Sequence, residues 1–303
     1  MQRFITYLFF FFFPVLLLAG VAEILMRKMP NDYTIKKSFL DQNASKINVL
    51  ILGSSHAFAG LDPAFMGVSC FNASYDSQTL EYDLWLFKKY RDQLISLKFL
   101  VIPVSYFSMA LNMETGPEPW RSRFYYLYYD IKARDKLTDR SEILGGNLRL
   151  SLHKLFNYYL LHKNGIHTSA LGRGTEYTFK NRLSRIETGP VSAKRHTCDN
   201  PKVFDEMANC LEQIIKIAAE KNIKVILHTS PALPYYVNNL NQMQLTKTLQ
   251  KLASLDQKYE NVRYINFLQN HPLQDSDFYD ADHLNETGSV KFSKMIAKCL
   301  TMK

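Results

Sequence analysis

Metal and redox signatures are missing from this 303-residue chain. Its four cysteines, Cys70, Cys198, Cys210 and Cys299, form no CxxC pair, so neither a structural zinc site nor a thioredoxin-type centre is indicated. Cys198 and Cys210 are the nearest pair in sequence, and an even count outside the cytosol permits a disulfide, but spacing alone does not establish one. The eight histidines are scattered rather than grouped with carboxylates at ligand spacing, so no metal and no cofactor are expected. Zinc-finger spacing, an RNP-like aromatic motif and basic heptads are also lacking. Nucleic acid is therefore not the expected partner, despite a formal charge of +9. That charge suits an anionic membrane surface or an acidic polysaccharide. No cysteine follows Leu18-Ala19-Gly20, which removes a lipoprotein attachment site.

What the chain does have is a long apolar run at its amino terminus. Phe4 to Ala22 carries no charge, with Arg3 before it and Arg27 and Lys28 closing it. Extended to Met26, the run reaches the ~20 residues that an α-helix needs to cross ~30 Å of hydrocarbon. Pro14 would kink a soluble helix but is tolerated in a membrane. A cleaved signal peptide with Gly20-Val21-Ala22 as its processing site is one reading. A retained signal anchor over residues 1–28 fits better, because the run exceeds the ~7–15 residues of a signal core. Lys36 and Lys37 on the distal flank weigh against export by the positive-inside rule. The short tail and the downstream chemistry weigh for it. The expectation is a single-pass protein of the cytoplasmic membrane with its main domain on the periplasmic or extracellular side.

Residues 29–46 are polar, with Pro30, Asn31, Asp32 and Asn43, and read as a stalk. Ile47–Leu52 is then a β-rich apolar run ending at Gly53, the profile of a fully buried parallel strand. Further strands are expected at Cys70–Ala73, Phe99–Val104, Val225–His228 and Val262–Phe267, and helices at Leu80–Leu97, Val203–Lys221 and Glu286–Leu300. This alternation predicts a doubly wound parallel sheet in an α/β domain over 47–303. Residues 112–200 break the pattern. They begin with Pro117, Pro119, Trp120 and the run Phe124–Tyr129, continue through an apolar stretch at Leu148–Leu161, and end in a basic segment from Gly172 to Arg195. They read as an insertion, part helix and part loop. Its aromatics are candidates to cover a site, meet the membrane or dock a partner, or simply to pack the insertion in place.

In an open parallel sheet, ligands bind beyond the carboxyl ends of the strands. Ser55 follows the first strand at that edge. A serine nucleophile needs a base, and the base needs an orienting acid. Asp280-Ala281-Asp282-His283 supplies both, and the last helix begins just after it.

Gly53-Ser54-Ser55 resembles the first block of the SGNH/GDSL hydrolase-like family, with Ser54 where that family usually has Asp. Asp280-x-x-His283 is similar to its last block. The resemblance implies a three-layer α/β/α fold with a flavodoxin-like sheet and a Ser55–His283–Asp280 triad. Phe71–Gln78 is similar in position to the second block, where a family glycine donates its backbone N–H to the oxyanion; Ser77 falls nearest that place. After Phe99–Val104 the family's Gly-x-Asn-Asp is replaced by Ser105-Tyr106-Phe107. The oxyanion-hole candidates are therefore the N–H groups of Ser55 and Ser77, with Asn72, Ser105 or Tyr106 in place of the missing Asn. Ile51–His56 through Tyr106 also resembles a single-anchor bacterial subgroup associated with membrane-bound O-acyltransferases in polysaccharide modification. That resemblance implies an O-acyltransferase or acetylesterase acting on cell-surface carbohydrate. A non-catalytic scaffold on the same fold is the alternative.

His56 and His228 are the substrate-contact candidates. His56 adjoins Ser55, so its ring should point elsewhere, and a structural role competes with contact. His228 ends a strand at the productive edge, where a core or loop histidine is the competing reading. Asp282 has the wrong spacing to orient His283 from the usual place and is expected to be solvated.

Overall fold

The computed structural model describes residues 2–133 and 136–301; Met1, Arg134, Asp135, Met302 and Lys303, which fall within the expected anchor, insertion and main-domain ranges, lie outside the described residues. The helices, in chain order, begin with α1 (Gln2–Lys28), α2 (Asp32–Asn43), α3 (Ser55–Gly60) and α4 (Leu80–Tyr90). There follow α5 (Ser122–Tyr129), α6 (Leu148–Tyr159), α7 (Arg185–His196) and α8 (Pro201–Glu220). The series ends with α9 (Pro234–Val237), α10 (Gln242–Lys258) and α11 (Glu286–Cys299). The strands are β1 (Val49–Ile51), β2 (Cys70–Asn72), β3 (Phe99–Pro103), β4 (Lys224–Thr229) and β5 (Val262–Asn266). All five apolar runs expected as strands are strands.

The chain divides into two compact units. One comprises residues 39–119 and 167–303, and it contains the whole sheet. The strands are all parallel, in the order β2-β1-β3-β4-β5, which is the flavodoxin-like arrangement. Flanking helices cover the sheet, so β1, β3 and β4 read as largely continuous apolar runs rather than as alternating ones, while the edge strand β5 exposes Arg263 and Asn266. Val49, Ile51, Val101 and Ile226 point to one face and pack with Phe292 and Ile296 of α11. Leu50, Leu100, Val225 and Leu227, one residue out of step, are equally buried on the other face. Helix α8 carries apolar residues at Val203, Met207, Leu211, Ile214 and Ala218, a stripe at helical spacing that buries one side of it, and it packs against α4 and β4.

The other unit comprises residues 1–38 and 120–166. It contains α1, whose 27 residues are long and apolar enough to cross a membrane. Pro14 lies inside that helix. Tyr33 packs between the rings of Phe124 and Tyr125, at 4.8 and 5.3 Å. The buried Arg123 faces Glu142 at 3.5 Å, and Tyr128 donates to the same carboxylate at 2.6 Å.

Within residues 29–46, read from the sequence as a stalk or entry segment, α2 occupies 32–43. Its carboxyl-terminal half belongs to the sheet-bearing unit, where Phe39 stacks on Phe71 at 4.1 Å and Asp41 accepts from Tyr90. The stretch 112–200 is shared between the two units. Residues 120–166 group with the amino-terminal helix, whereas 167–200 return to the sheet-bearing unit. There Leu171 accepts the N–H of Asn72 on edge strand β2, and Gly172 approaches so closely that a Cβ would lie 2.0 Å from the Asn72 carbonyl oxygen. The four cysteines are free.

Candidate active site

The site lies at the carboxyl edge of the sheet, where β1 has β2 on one side and β3 on the other. That reversal of strand order opens a crevice in folds of this kind. After β1 the chain turns sharply at Gly53, whose φ of +113° is a conformation that a side chain rarely permits. Pro103 crowds that position as well: a Cβ on Gly53 would lie 3.0 Å from its ring. The Gly53 N–H donates to Asp83 at 2.8 Å, and the same carboxylate oxygen accepts from Gln78 at 2.5 Å. Asp83 thus ties the turn before Ser55 to the loop that carries Ser77. Burial pushes its pKa up to about 7, against the opposing pull of those two donors.

Ser55 opens helix α3 and is half-buried. Its Oγ is 2.8 Å from Nε2 of His283. On the far side of that ring, Nδ1 is 2.9 and 3.0 Å from the two carboxylate oxygens of Asp280. A carboxylate only accepts, so Nδ1 carries the proton and Nε2 is left to face the hydroxyl. Asp280 Oδ1 also accepts the N–H groups of Asp282 and His283 at 3.0 and 2.7 Å. The 280–283 turn is therefore wound round one carboxylate, and α11 anchors it immediately downstream, with the Asn285 side chain accepting from the Thr287 and Gly288 N–H groups.

A second buried array lies behind this one. Asp282, expected to be solvated, is 1 % exposed, and its Oδ2 is 3.1 Å from Nε2 of His56. The other nitrogen of His56 is 2.6 Å from Ser105 Oγ. Burial keeps His56 neutral by lowering its pKa, an effect that the Asp282 hydrogen bond only partly offsets. Nε2–H therefore donates to Asp282, and the Ser105 hydroxyl donates to Nδ1. Asp282 Oδ1 makes no hydrogen bond among the described residues and lies 3.7 Å from His283 Nδ1. His196 completes the array, with Nδ1 2.9 Å from the Tyr236 hydroxyl and 3.9 Å from Asp282. Burial drives the His196 pKa down to about 3.

Two carboxylates thus face one imidazole. Burial disfavours the His283 cation, but Asp280 and then Asp282 outweigh it and raise the pKa to about 9. For Asp282, burial opposes the charge, while His283 and the His56 hydrogen bond hold its carboxyl far below the usual range.

His56, Asp282 and His283 bring one potential ligand atom each to within 4.8 Å of one another. Every ring nitrogen in that cluster already has a hydrogen-bond partner, so the donor set describes a proton-sharing network rather than an open metal seat.

The remaining candidates fall in different places. Ser77 adopts φ +55°, the left-handed conformation that glycine favours, and its Oγ donates to Glu118 at 2.8 Å. Asn72 does not reach out as a donor: its amide nitrogen is spent on the carbonyls of Ala57 and Leu61, and its oxygen accepts from Ser74. Ser105 is engaged with His56, and the Tyr106 hydroxyl with Thr197 and the Asn241 N–H. His228 is fully buried beside Phe267 and Phe292, with no hydrogen bond to either ring nitrogen among the described residues. Burial lowers its pKa to about 3, which favours the neutral ring, and leaves it no exposed surface in this structure. His56 is likewise enclosed.

One neighbour was not evident from the sequence. Tyr177 stands beside His283 with ring centroids 5.3 Å apart, meets Tyr279 at 5.2 Å and donates to Asp76 at 2.7 Å. No motif marks it; the packing of 168–175 on β2 and α3 delivers it, with Gly174 donating to the Phe58 carbonyl.

No family model and no curated protein sequence matches the chain. Among solved structures, the chain is similar to a provisionally assigned acylhydrolase from Bacteroides fragilis, with 12 % identity and a TM-score of 0.44, over 86 % of this chain and 93 % of that one. It is also similar to a GDSL-like lipase from Bacteroides thetaiotaomicron, with 11 % identity and a TM-score of 0.45, over 88 % of this chain and 98 % of that one.

Proposed function

We propose that this protein is a serine-dependent acyl-transfer enzyme, an O-acyltransferase or acetylesterase acting on cell-surface polysaccharide outside the membrane that α1 crosses. The observation that carries the reading is the line Ser55–His283–Asp280. Its links of 2.8 and 2.9 Å join a serine and a histidine 228 positions apart in sequence.

Ser55 Oγ attacks the carbonyl carbon of an acyl ester as its proton passes to His283 Nε2. The tetrahedral intermediate collapses, the ester C–O bond breaks, and His283 returns the proton to the departing alkoxide. The acyl group is left on Ser55. A sugar hydroxyl or water then attacks the acyl-serine, with His283 again accepting and returning one proton. The N–H of Ser55, the first in helix α3 and without an intrahelical acceptor, and that of Ser77 are the proposed donors to the oxyanion. The imidazolium favoured by the two carboxylates cannot take a proton, so the reactive form is neutral His283.

Carbohydrate is the proposed acceptor because the half-buried Tyr177 lies beside His283, with the half-buried Tyr279 edge-to-face against it, and aromatic side chains stack on sugar rings. A membrane-bound O-acyltransferase is the proposed source of the acyl group. Asn72 and Ser105 are both occupied, which favours a second reading: a scaffold that keeps the fold but transfers nothing.

The test is hydrolysis of p-nitrophenyl acetate by the full chain in detergent, with and without an oligosaccharide acceptor. Ser55→Ala and His283→Ala should each lower turnover by about 10³-fold or more. The acceptor should divert acetyl from water to sugar. A folded wild type no faster than Ser55→Ala would favour the scaffold.

A further inference from the structure

Helix α6 exposes a line of apolar side chains at four-residue spacing. Leu148 is 59 %, Leu152 53 % and Phe156 50 % exposed, and Leu160, one residue past the helix, is 66 % exposed. Residues i and i+4 stack on one side of a helix, so the four form a single stripe. A contiguous exposed apolar stripe on a folded unit marks a surface that meets something.

The same unit indicates what that is. Helix α6 packs against α1, and the Tyr159 hydroxyl donates to the carbonyl of Leu25 at 3.0 Å. The loop leading into α6 is strapped to the last turns of α1: Glu23 accepts from Ser141 Oγ and from the N–H groups of Glu142 and Ile143 at 2.8–3.1 Å. Arg27 donates to the Arg140 carbonyl at 2.7 Å. These contacts hold α6 at the end of the apolar stretch of α1, where the charged residues begin. In a helix that spans ~30 Å of hydrocarbon, that is the depth of the lipid headgroups. The exposed Arg149 and His153 border the stripe and the exposed Lys154 lies away from it, the charge sign that anionic lipid attracts at headgroup depth.

We propose that α6 is an interfacial helix, whose Leu148, Leu152, Phe156 and Leu160 seat in the headgroup–acyl boundary of the bilayer that α1 crosses. The proposal rests on α1 being a retained membrane span and is independent of the chemistry at Ser55. The stripe lies on a helix tied to the charged end of the apolar α1, which is why the occupant is lipid rather than a second protein chain.

Depth-dependent fluorescence quenching tests it. Trp85 and Trp120 are replaced by Phe, and single tryptophans are introduced as Phe156→Trp, Leu152→Trp and, in α1, Leu16→Trp. The full chain is reconstituted in phosphatidylcholine–phosphatidylglycerol vesicles containing lipids brominated at shallow or deep acyl positions. Both α6 tryptophans should lose fluorescence about twofold with shallow bromines and less with deep ones, as for a helix buried ~5–10 Å. The tryptophan at position 16 should respond most to deep bromines. Quenching at position 16 with none at 152 and 156 would overturn the interfacial helix while leaving the span intact. No quenching at any of the three would overturn the span and the proposal with it.

Discussion

Asp280 and Asp282 face the same imidazole and do different things to it. Asp280 accepts the Nδ1–H hydrogen bond directly and fixes the tautomer, whereas Asp282 stands 3.7 Å away with its other oxygen accepting from His56. Removing the charge at 282 while keeping its shape should therefore make His283 less basic without breaking the triad. Asp282→Asn is predicted to move the midpoint of the pH–rate profile down by about one unit or more, with activity retained above it; an unmoved midpoint would contradict this role. In the wild type the rate should climb with pH until His283 loses its proton at about 9. A plateau reached already by pH 6 would show that the two carboxylates do not raise this histidine. That Ser55, Asp280 and His283 come together was readable from a strand end and a four-residue turn; that they form a catalytic set is the proposal. The burial of Asp282 was not readable, since the groups that enclose it, His56 and His196, come from distant positions. The adjacency of Asp282 to His283 was the only available signal, and spacing alone assigned it to solvent.

The elements that hold the site were readable in proportion to their apolar content. Strands β1 to β4 stood out because they are buried almost throughout, whereas the edge strand β5, with Arg263 and Asn266 exposed, was carried by Val262, Tyr264 and Ile265. Helix α10 was missed: Gln242–Lys258 buries only Leu245, Thr248, Leu252 and Leu255, too sparse a stripe among glutamines and lysines. Helix α2 was read as stalk for the same reason, its 12 residues being polar overall. The turn between β1 and α3 is the element that positions Ser55, the proposed nucleophile. Gly53→Ala would force a side chain into φ +113° and against Pro103. That change is predicted to destabilise the protein by about 1–3 kcal/mol and to lower kcat more than it raises KM, measured by denaturant unfolding and steady-state kinetics. A variant as stable and active as the wild type would contradict the strain argument. Tyr177→Ala tests the other wall of the site: KM for a carbohydrate acceptor should rise several-fold with hydrolysis of a small activated ester nearly unchanged.

At the scale of the whole molecule, the buried histidines set how stability depends on pH. His283 is raised to about 9 in the folded state from about 6.5 unfolded, so its contribution is complete below pH 6.5 and is lost as pH rises toward 9. His196 and His228 are lowered to about 3, so folding loses their support as pH falls from 6.5 toward 3. His56 acts in the same direction. Three of these groups act on the acid side and one on the alkaline side, while Asp83, raised to about 7 in the folded state, offsets about one of the three as pH falls toward about 4. The melting temperature should therefore peak near pH 6.5, about the unfolded histidine value, and fall more steeply toward acid; a flat profile from pH 4 to 9 would contradict the assignment. The division into two units was only half legible: the apolar amino terminus announced itself, but nothing in 112–200 revealed that its two parts go to different units. The central claim is covalent chemistry at Ser55, and the most direct measurement is intact mass of the full chain in detergent after brief exposure to an activated acetyl ester. The account predicts one added acetyl group that maps to Ser55 and is absent from Ser55→Ala. A folded protein that gains no acetyl, or gains it equally in the variant, would contradict it.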